Sequence, residues 1–250
     1  MVEDQPARVP PRDALTLASA VYEKLRKDIV SASILPGERL GMDALRARYD
    51  VGGSPLREAL NRLVSEGLVT QEDQKGFRVA PVSQEELREL TRARRLINEV
   101  ALREAIRNGD AAWEEGIIVA YHRMDRVAAA GRSAESERLH REFHRALIFA
   151  CGSRTILQIN QQLFDRAKRY QMLSISSGAP PRAGHEEHRR IMEAVLARDV
   201  ERAIQLANDH ISLTEQIVLD MNALPIPIEA KRRRLTAASS RERPLQENQR

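Results

Sequence analysis

Residues 34–69 read ILPGERLGMDALRARYDVGGSPLREALNRLVSEGLV, and the turn residues in this run decide the fold of the N-terminal part. Pro36-Gly37 marks a turn. MDALRARYD then suits a short helix, Val51-Gly52-Gly53 a tight turn, and SPLREALNRLVSEG a second helix. Ser54 suits the N-cap of that second helix and Pro55 its first position, where a missing N–H does no harm. Leu56, Ala59, Leu60 and Leu63 keep a core-facing spacing, and Gly67 suits the C-terminal stop. Upstream, residues 17–31 carry Val21, Leu25 and Ile29 on one helical face. Downstream, 68–70 and 76–80 read as strands joined by the polar Gln71 to Lys75. Helix, short helix, turn, helix and hairpin predict a winged helix-turn-helix.

That geometry puts the first turn of the second helix against base edges in the major groove. Arg57 lies in this turn, where its guanidinium can pair with guanine O6 and N7. Ser54 and the amides at the helix start suit a phosphate. Arg46, Arg48 and Arg62 are candidates for backbone contacts, or members of an ordinary solvated face. Lys75-Gly76 at the wing tip suits a minor groove, since glycine permits close approach.

From Ser83 onward only helical periodicity is legible. Ser83-Gln84-Glu85-Glu86 reads as a capping box, and Leu87, Leu90, Ile97 and Ala101 as the stripe of a long helix. Breaks fall at Asn108-Gly109-Asp110, Gly131-Arg132-Ser133, Cys151-Gly152-Ser153 and Gly178-Ala179-Pro180-Pro181, with Asp199 as a further N-cap. The expected fold is mainly α: a tail over 1–14, the winged helix-turn-helix over 15–82, an all-helical bundle of about six helices over 83–224, and a basic tail over 225–250.

Composition fits a soluble protein of the cytosol. The 250 residues are 42% hydrophobic and 30% charged, with a formal charge of +4, and no run approaches the ~20 apolar residues of a membrane span. The N-terminus has no apolar signal-peptide core, and a single cysteine, Cys151, forms no internal disulfide. Aromatics at 4% argue against base stacking with single strands. The last twenty residues, KRRRLTAASSRERPLQENQR, have little to bury and suit a solvated tail.

Five of the six histidines fall late in the chain, at His140, His144, His185, His188 and His210. His140 and His144, in HREFH, share one helix face. His188 and His210 lie on the two helices flanking Asp199. If those helices pack antiparallel beside the HREFH helix, four imidazoles converge inside the bundle, a setting that suits zinc, nickel, copper or iron. Spacing alone leaves the chance surface pair open. His185 suits a helix-start surface position.

Residues 34–69 resemble the reader domain of the GntR family, whose pattern is a "pG-x-x-L" turn, then "VSRTPVREAL-x-x-L-x-x-eGLV", then a wing. Gly53 and Asp43 stand where relatives carry DNA-contacting arginines, so the family's operator does not carry over. RLINE at 95–99, HREFHRALIFACGS, GHEEHRRIMEAVLARD and the late His210 resemble the FCD effector domain of the FadR subgroup. The resemblance implies that His144, His188 and His210 hold a divalent metal, with His140 where many members have aspartate. Imidazole in place of carboxylate favours zinc or nickel. It implies a small carboxylate effector completing the coordination, with Arg95 balancing its charge; the alternative for Arg95 is an i,i+4 pair with Glu99. It also implies a homodimer on a palindromic operator and, commonly, repression relieved by ligand. VGGSPLREAL, QKGFRVA and the H-x-x-FH form of the metal pair are most like the CsiR-type repressors, associated with carbon starvation and five-carbon dicarboxylates such as glutarate.

Two other readings compete. A metal-dependent enzyme is disfavoured because HREFH lacks the second-position glutamate of H-E-x-x-H, and four protein ligands leave little room to activate water. A metal-free sensor would use the same histidines as a polar pocket lining.

Overall fold

A computed structural model of the chain describes residues 16–72, 74–128, 133–176 and 184–220. Both expected tails, the Gly131-Arg132 and Gly178 to Pro181 breaks and the expected bundle end near Leu224 lie outside the described residues. The N-terminal unit runs α1 (Leu17–Val30), β1 (Arg39–Leu40), α2 (Met42–Tyr49), α3 (Gly53–Ser65), β2 (Val69–Glu72) and β3 (Gly76–Val79). The bundle follows as α4 (Gln84–Asn108), α5 (Ala111–Ala128), α6 (Ala134–Ile148), a 3-10 turn (Phe149–Cys151), α7 (Arg154–Ser176), α8 (His185–Leu196) and α9 (Val200–Asp220). The architecture is mainly helical, a winged helix-turn-helix followed by an all-helical bundle, as expected.

Two details of the N-terminal unit correct the sequence reading. The helix α3 starts at Gly53 with Gly52 as its N-cap, so Ser54 makes no capping bond. The Gly52-Gly53 turn lets the backbone enter the helix two residues early. Pro55 remains acceptable because the first-turn N–H groups have no intrahelical partner in any case. The wing is also not a bare hairpin: the sheet has three strands in the order β1-β3-β2. Residues Arg39 and Leu40 pair antiparallel with Arg78 and Phe77, too short a segment for alternation to register. Gly67, by contrast, takes φ +71°, and Leu68 N–H reaches Leu63 O at 3.0 Å, the glycine C-terminal stop expected of α3.

Three apolar clusters hold the molecule together. One joins Leu25 and Ile29 of α1 to Leu56, Leu60 and Leu63 of α3 and Val79 of the wing. A second fills the bundle around Ile117, Phe143, Val195 and Ala203. The third, around Val82, Leu87, Leu90, Tyr170 and Leu173, receives Ala32 from the N-terminal unit and so sits at the junction. In α4 the expected stripe is deepest at Leu87, Leu90 and Ala101, whereas Ile97 is only partly covered.

Asp110 caps α5 through Trp113 N–H at 2.9 Å, and Asp199 caps α9 through Arg202 N–H at 3.1 Å, both as the sequence suggests. The capping box at Ser83 is half formed. Ser83 Oγ accepts from Glu86 N–H at 3.0 Å, but the Glu86 carboxylate turns to Tyr170 and Arg166 of α7. A buried tyrosine hydroxyl and a guanidinium outbid a local N–H, and the Tyr170 hydroxyl accepts the Ser83 N–H instead, at 3.3 Å.

Candidate functional site

The helix α6 buries Leu139, Phe143 and Leu147, and one position on from the first two it turns His140 and His144 inward. His188 of α8 and His210 of α9 are buried opposite them. Ligand nitrogens of the four all lie within 4.8 Å of one another, and the Nε2 atoms of His140 and His144 are 3.2 Å apart. A tetrahedral zinc with Zn–N near 2.0–2.1 Å has N···N edges of about 3.3 Å, so this pair already stands at a coordination edge.

The electrostatics of the cluster favour a metal-ligating state. Burial drives His140 and His144 well below the usual histidine range, and the neighbours add to it: Lys168 first for His140, and for His144 first the repulsion between its protonated ring and that of His140. Neutral imidazole is the form that binds metal. His140 Nδ1 is buried without a hydrogen bond among the described residues. His210 Nδ1 is held 3.0 Å from the Glu187 carboxylate, a carboxylate–histidine pairing that orients the other nitrogen toward the cluster. The donor set therefore fits a divalent transition metal. His185 stands apart, its Nδ1 2.9 Å from Asp125 of α5.

A cation sits beside the imidazoles. The Arg94 guanidinium lies 5.5 Å over the Phe164 ring, and that ring is 5.8 Å from His144 and 6.0 Å from His140. Burial pushes Arg94 down to about 10, with the charge of Asp165 opposing the fall. Arg95, the arginine expected here, is exposed. Among the described residues Arg95 forms no i,i+4 ion pair with Glu99, which pairs with Arg103 at 3.4 Å.

On the far side of the N-terminal unit, Ser54, Arg57, Glu58, Asn61, Arg62 and Ser65 line an open groove along α3. Arg57 is exposed there and forms no ion pair among the described residues. Arg62 is occupied: its guanidinium stacks 3.8 Å over the Tyr22 ring and reaches Ser19 Oγ at 3.4 Å. Arg48 is tied to Asp28 at 2.8 Å, a carboxylate that also accepts from Tyr49. Arg46 keeps only an exposed contact to Asp43 at 3.7 Å, and Lys75 one to Glu72 at 3.0 Å. Gly76 at the wing tip takes φ +80°.

Residues 17–79 match the family described as "Bacterial regulatory proteins, gntR family", and residues 89–213 match the FCD domain. The chain belongs to the GntR family, with an FCD domain. The regulator BphR of Paraburkholderia xenovorans is 35% identical over 222 residues, covering 86% of this chain and 91% of the relative. The transcriptional repressor GlaR of Escherichia coli K12 is 36% identical over 198 residues, 76% of this chain and 90% of the relative. The fold is shared with Escherichia coli McbR/YncC, at a TM-score of 0.73 and 19% identity over 84% of this chain and 100% of that one.

This GntR regulator is thus a DNA-binding transcription regulator; its family and relatives are regulators, not enzymes. No helix among the described residues is long and apolar enough to cross a membrane. Two residues of its interior escaped the sequence reading. Arg94 falls seven residues after Leu87 and seven before Ala101, a weak signal that does not by itself choose between it and Arg95. Asp165 on α7 carried no such signal, because its partners are far away in sequence.

Proposed function

We propose that this GntR regulator is a repressor whose operator affinity is set by a small carboxylate bound at a metal in the FCD bundle. The observation that carries the proposal is the meeting of four imidazoles and the half-buried Arg94 guanidinium inside a bundle joined to a DNA reader. His140, His144, His188 and His210 would hold the metal, zinc or nickel by the all-imidazole donor set. With four imidazoles bound, the metal would take a carboxylate oxygen as Lewis acid by expanding beyond four-coordination. Arg94 replaces Arg95 as the cation balancing the acid's charge, because it is the one of the pair that faces the imidazoles. The likeness to CsiR-type repressors supports a five-carbon dicarboxylate such as glutarate as the acid.

At the other end, α3 enters the major groove with Arg57 toward a guanine edge. Ser54 and the first-turn amides take a phosphate, and the Lys75-Gly76 wing tip approaches the minor groove. Arg46 is the better backbone-contact candidate of the three arginines, since Arg48 and Arg62 are held within the fold. Two copies related by a two-fold axis would read a palindromic operator, in the cytoplasm where that DNA lies. To regulate, the acid must bind the DNA-competent and incompetent states with different affinities.

The test is binding of purified protein to the DNA upstream of its own gene, with zinc, with chelator, and with glutarate and shorter dicarboxylates. Stoichiometric metal, specific binding lost in Arg57→Ala, and weakening by one acid support the proposal. Binding no tighter than to random DNA sinks self-regulation. Full acid response after metal removal instead assigns the histidines to a metal-free pocket, where the His140–His144 contact is an imidazole hydrogen bond.

A further inference from the structure

Asp165, on α7, is almost fully covered, its side chain 3% exposed, and cations from three other helices face it. Its Oδ2 is ion-paired with Arg26 of α1 and accepts from Gln161 Nε2 at 2.9 Å. Its Oδ1 accepts no hydrogen bond among the described residues, though Arg141 Nη2 of α6 lies 3.4 Å away as an ion pair. Arg94 of α4, the guanidinium beside the imidazoles, makes no hydrogen bond among the described residues, and Asp165 is the carboxylate whose charge it feels.

Arg26 carries the connection into the reader. Its Nε lies 3.9 Å from Glu66 Oε2. Glu66 is the C-cap of the recognition helix α3, and it accepts the Tyr22 hydroxyl at 2.6 Å. Burial pulls Arg26 down, but Asp165 and the other surrounding acids outweigh it and hold the residue firmly charged. A series of charged groups therefore leads from the imidazole cluster to the end of the DNA-reading helix: Arg94, seated over Phe164 next to Asp165, then Asp165, Arg26 and Glu66, which are joined by ion pairs. Inside a bundle such charges are weakly screened, so one new charge redistributes the others.

We infer that Asp165 is the coupling residue of this regulator, its carboxylate paired with Arg26 of the reader while lying next to Phe164, on which Arg94 of the sensor sits, so that a charge arriving beside Arg94 alters how α1 and α3 are seated. The inference rests on the reading of the imidazole cavity as the sensor site. An anion that takes up Arg94 leaves Asp165 wholly to Arg26 and Arg141, tightening the pair that holds α1. Cationic metal without an anion pulls in the opposite sense. Coupling of this kind is established only when two sites bias one element, and here that element is α1 with the end of α3.

A double-mutant cycle on the full chain tests it without any ligand. Amide hydrogen exchange is followed over residues 17–30 and 62–68 in wild type, Arg94→Met, Arg26→Met and the double variant. Arg94→Met is expected to change protection there by about fivefold or more, and to add nothing once Arg26 is gone. Unchanged exchange in Arg94→Met, or an equal effect in the Arg26→Met background, overturns the inference. Should Arg94→Met fail to fold, Arg94→Gln replaces it in the same cycle. Zinc is added to chelator-treated wild type as a separate arm. Failure to bind zinc removes the metal reading and leaves the cycle to decide the coupling.

Discussion

The hydroxyl of Tyr170, in the middle of α7, donates to the carboxylate of Glu86 in the first turn of α4, 84 residues earlier. The same hydroxyl takes the Ser83 N–H at 3.3 Å. Tyr170 is fully buried, so one side chain closes both the linker and the cap of the first bundle helix. Tyr170→Phe keeps the ring and removes its bonds to Glu86, which retains Arg166, and to the exposed Ser83, and is expected to cost about 0.5–1.5 kcal/mol. Urea unfolding at matched m-values measures this, and a change within error would mean that water replaces the hydroxyl.

Glu187 is expected to tune metal affinity although it is not among the four imidazoles. It holds His210 Nδ1 at 3.0 Å, and loss of such a partner weakens metal binding by roughly 10–100-fold. Zinc titration of Glu187→Gln should show that loss, whereas Asp125→Asn, whose partner His185 lies outside the cluster, should bind like wild type. Equal effects would place the metal elsewhere.

The metal-free protein should lose stability in mild acid. His140 and His144 have folded values well below 6.5 because burial disfavours the cation. Below 6.5 the unfolded chain therefore takes up protons that the folded chain refuses, and stability falls as pH falls. Thermal unfolding of chelated protein from pH 8 to 5 should show this decline, and it should be shallower in His144→Leu. A flat profile in wild type would show that the imidazoles reach solvent.

Arg57→Ala and Arg62→Ala should separate reading from folding. Arg57 is exposed in the first half of α3, and its removal should relax preference at one base pair by about 1–3 kcal/mol with little change in Tm. Arg62 stacks on Tyr22 at 3.8 Å, so its removal should lower stability by about 0.5–2 kcal/mol and leave base preference intact. Competition binding on operator variants, paired with thermal melts, would reveal a reversal of these roles.

Gly109 should tolerate no side chain. An added Cβ would stand 1.9 Å from the Trp113 ring, whose Nε1 is fixed to Ala146 O at 2.8 Å. Gly109→Ala is expected to cost about 1–3 kcal/mol through overpacking. A variant as stable as wild type in denaturant would show that the ring moves freely.

Much of the molecule follows from local rules and was readable along the chain. The Gly52-Gly53 and Gly67 turns, the Asp110 and Asp199 caps, and the apolar spacing of α1 and α3 act within a few residues, so each element announces itself. The histidines were legible as types and spacings, and two of them as one helix face. Tertiary structure decided what those rules leave open. Whether His188 and His210 meet the HREFH pair depends on how α8 and α9 pack on α6. Which of two adjacent arginines faces the imidazoles depends on the rotation of α4, since neighbouring helix positions differ by about 100°. The two-residue strand β1 exists only because β3 offers it partners. Arg62 and Arg48 find partners in Tyr22 and Asp28, which only folding brings within their reach. Asp165 had no sequence signal at all: a buried carboxylate is stabilised by cations brought to it from α1, α4 and α6, and only folding makes them neighbours.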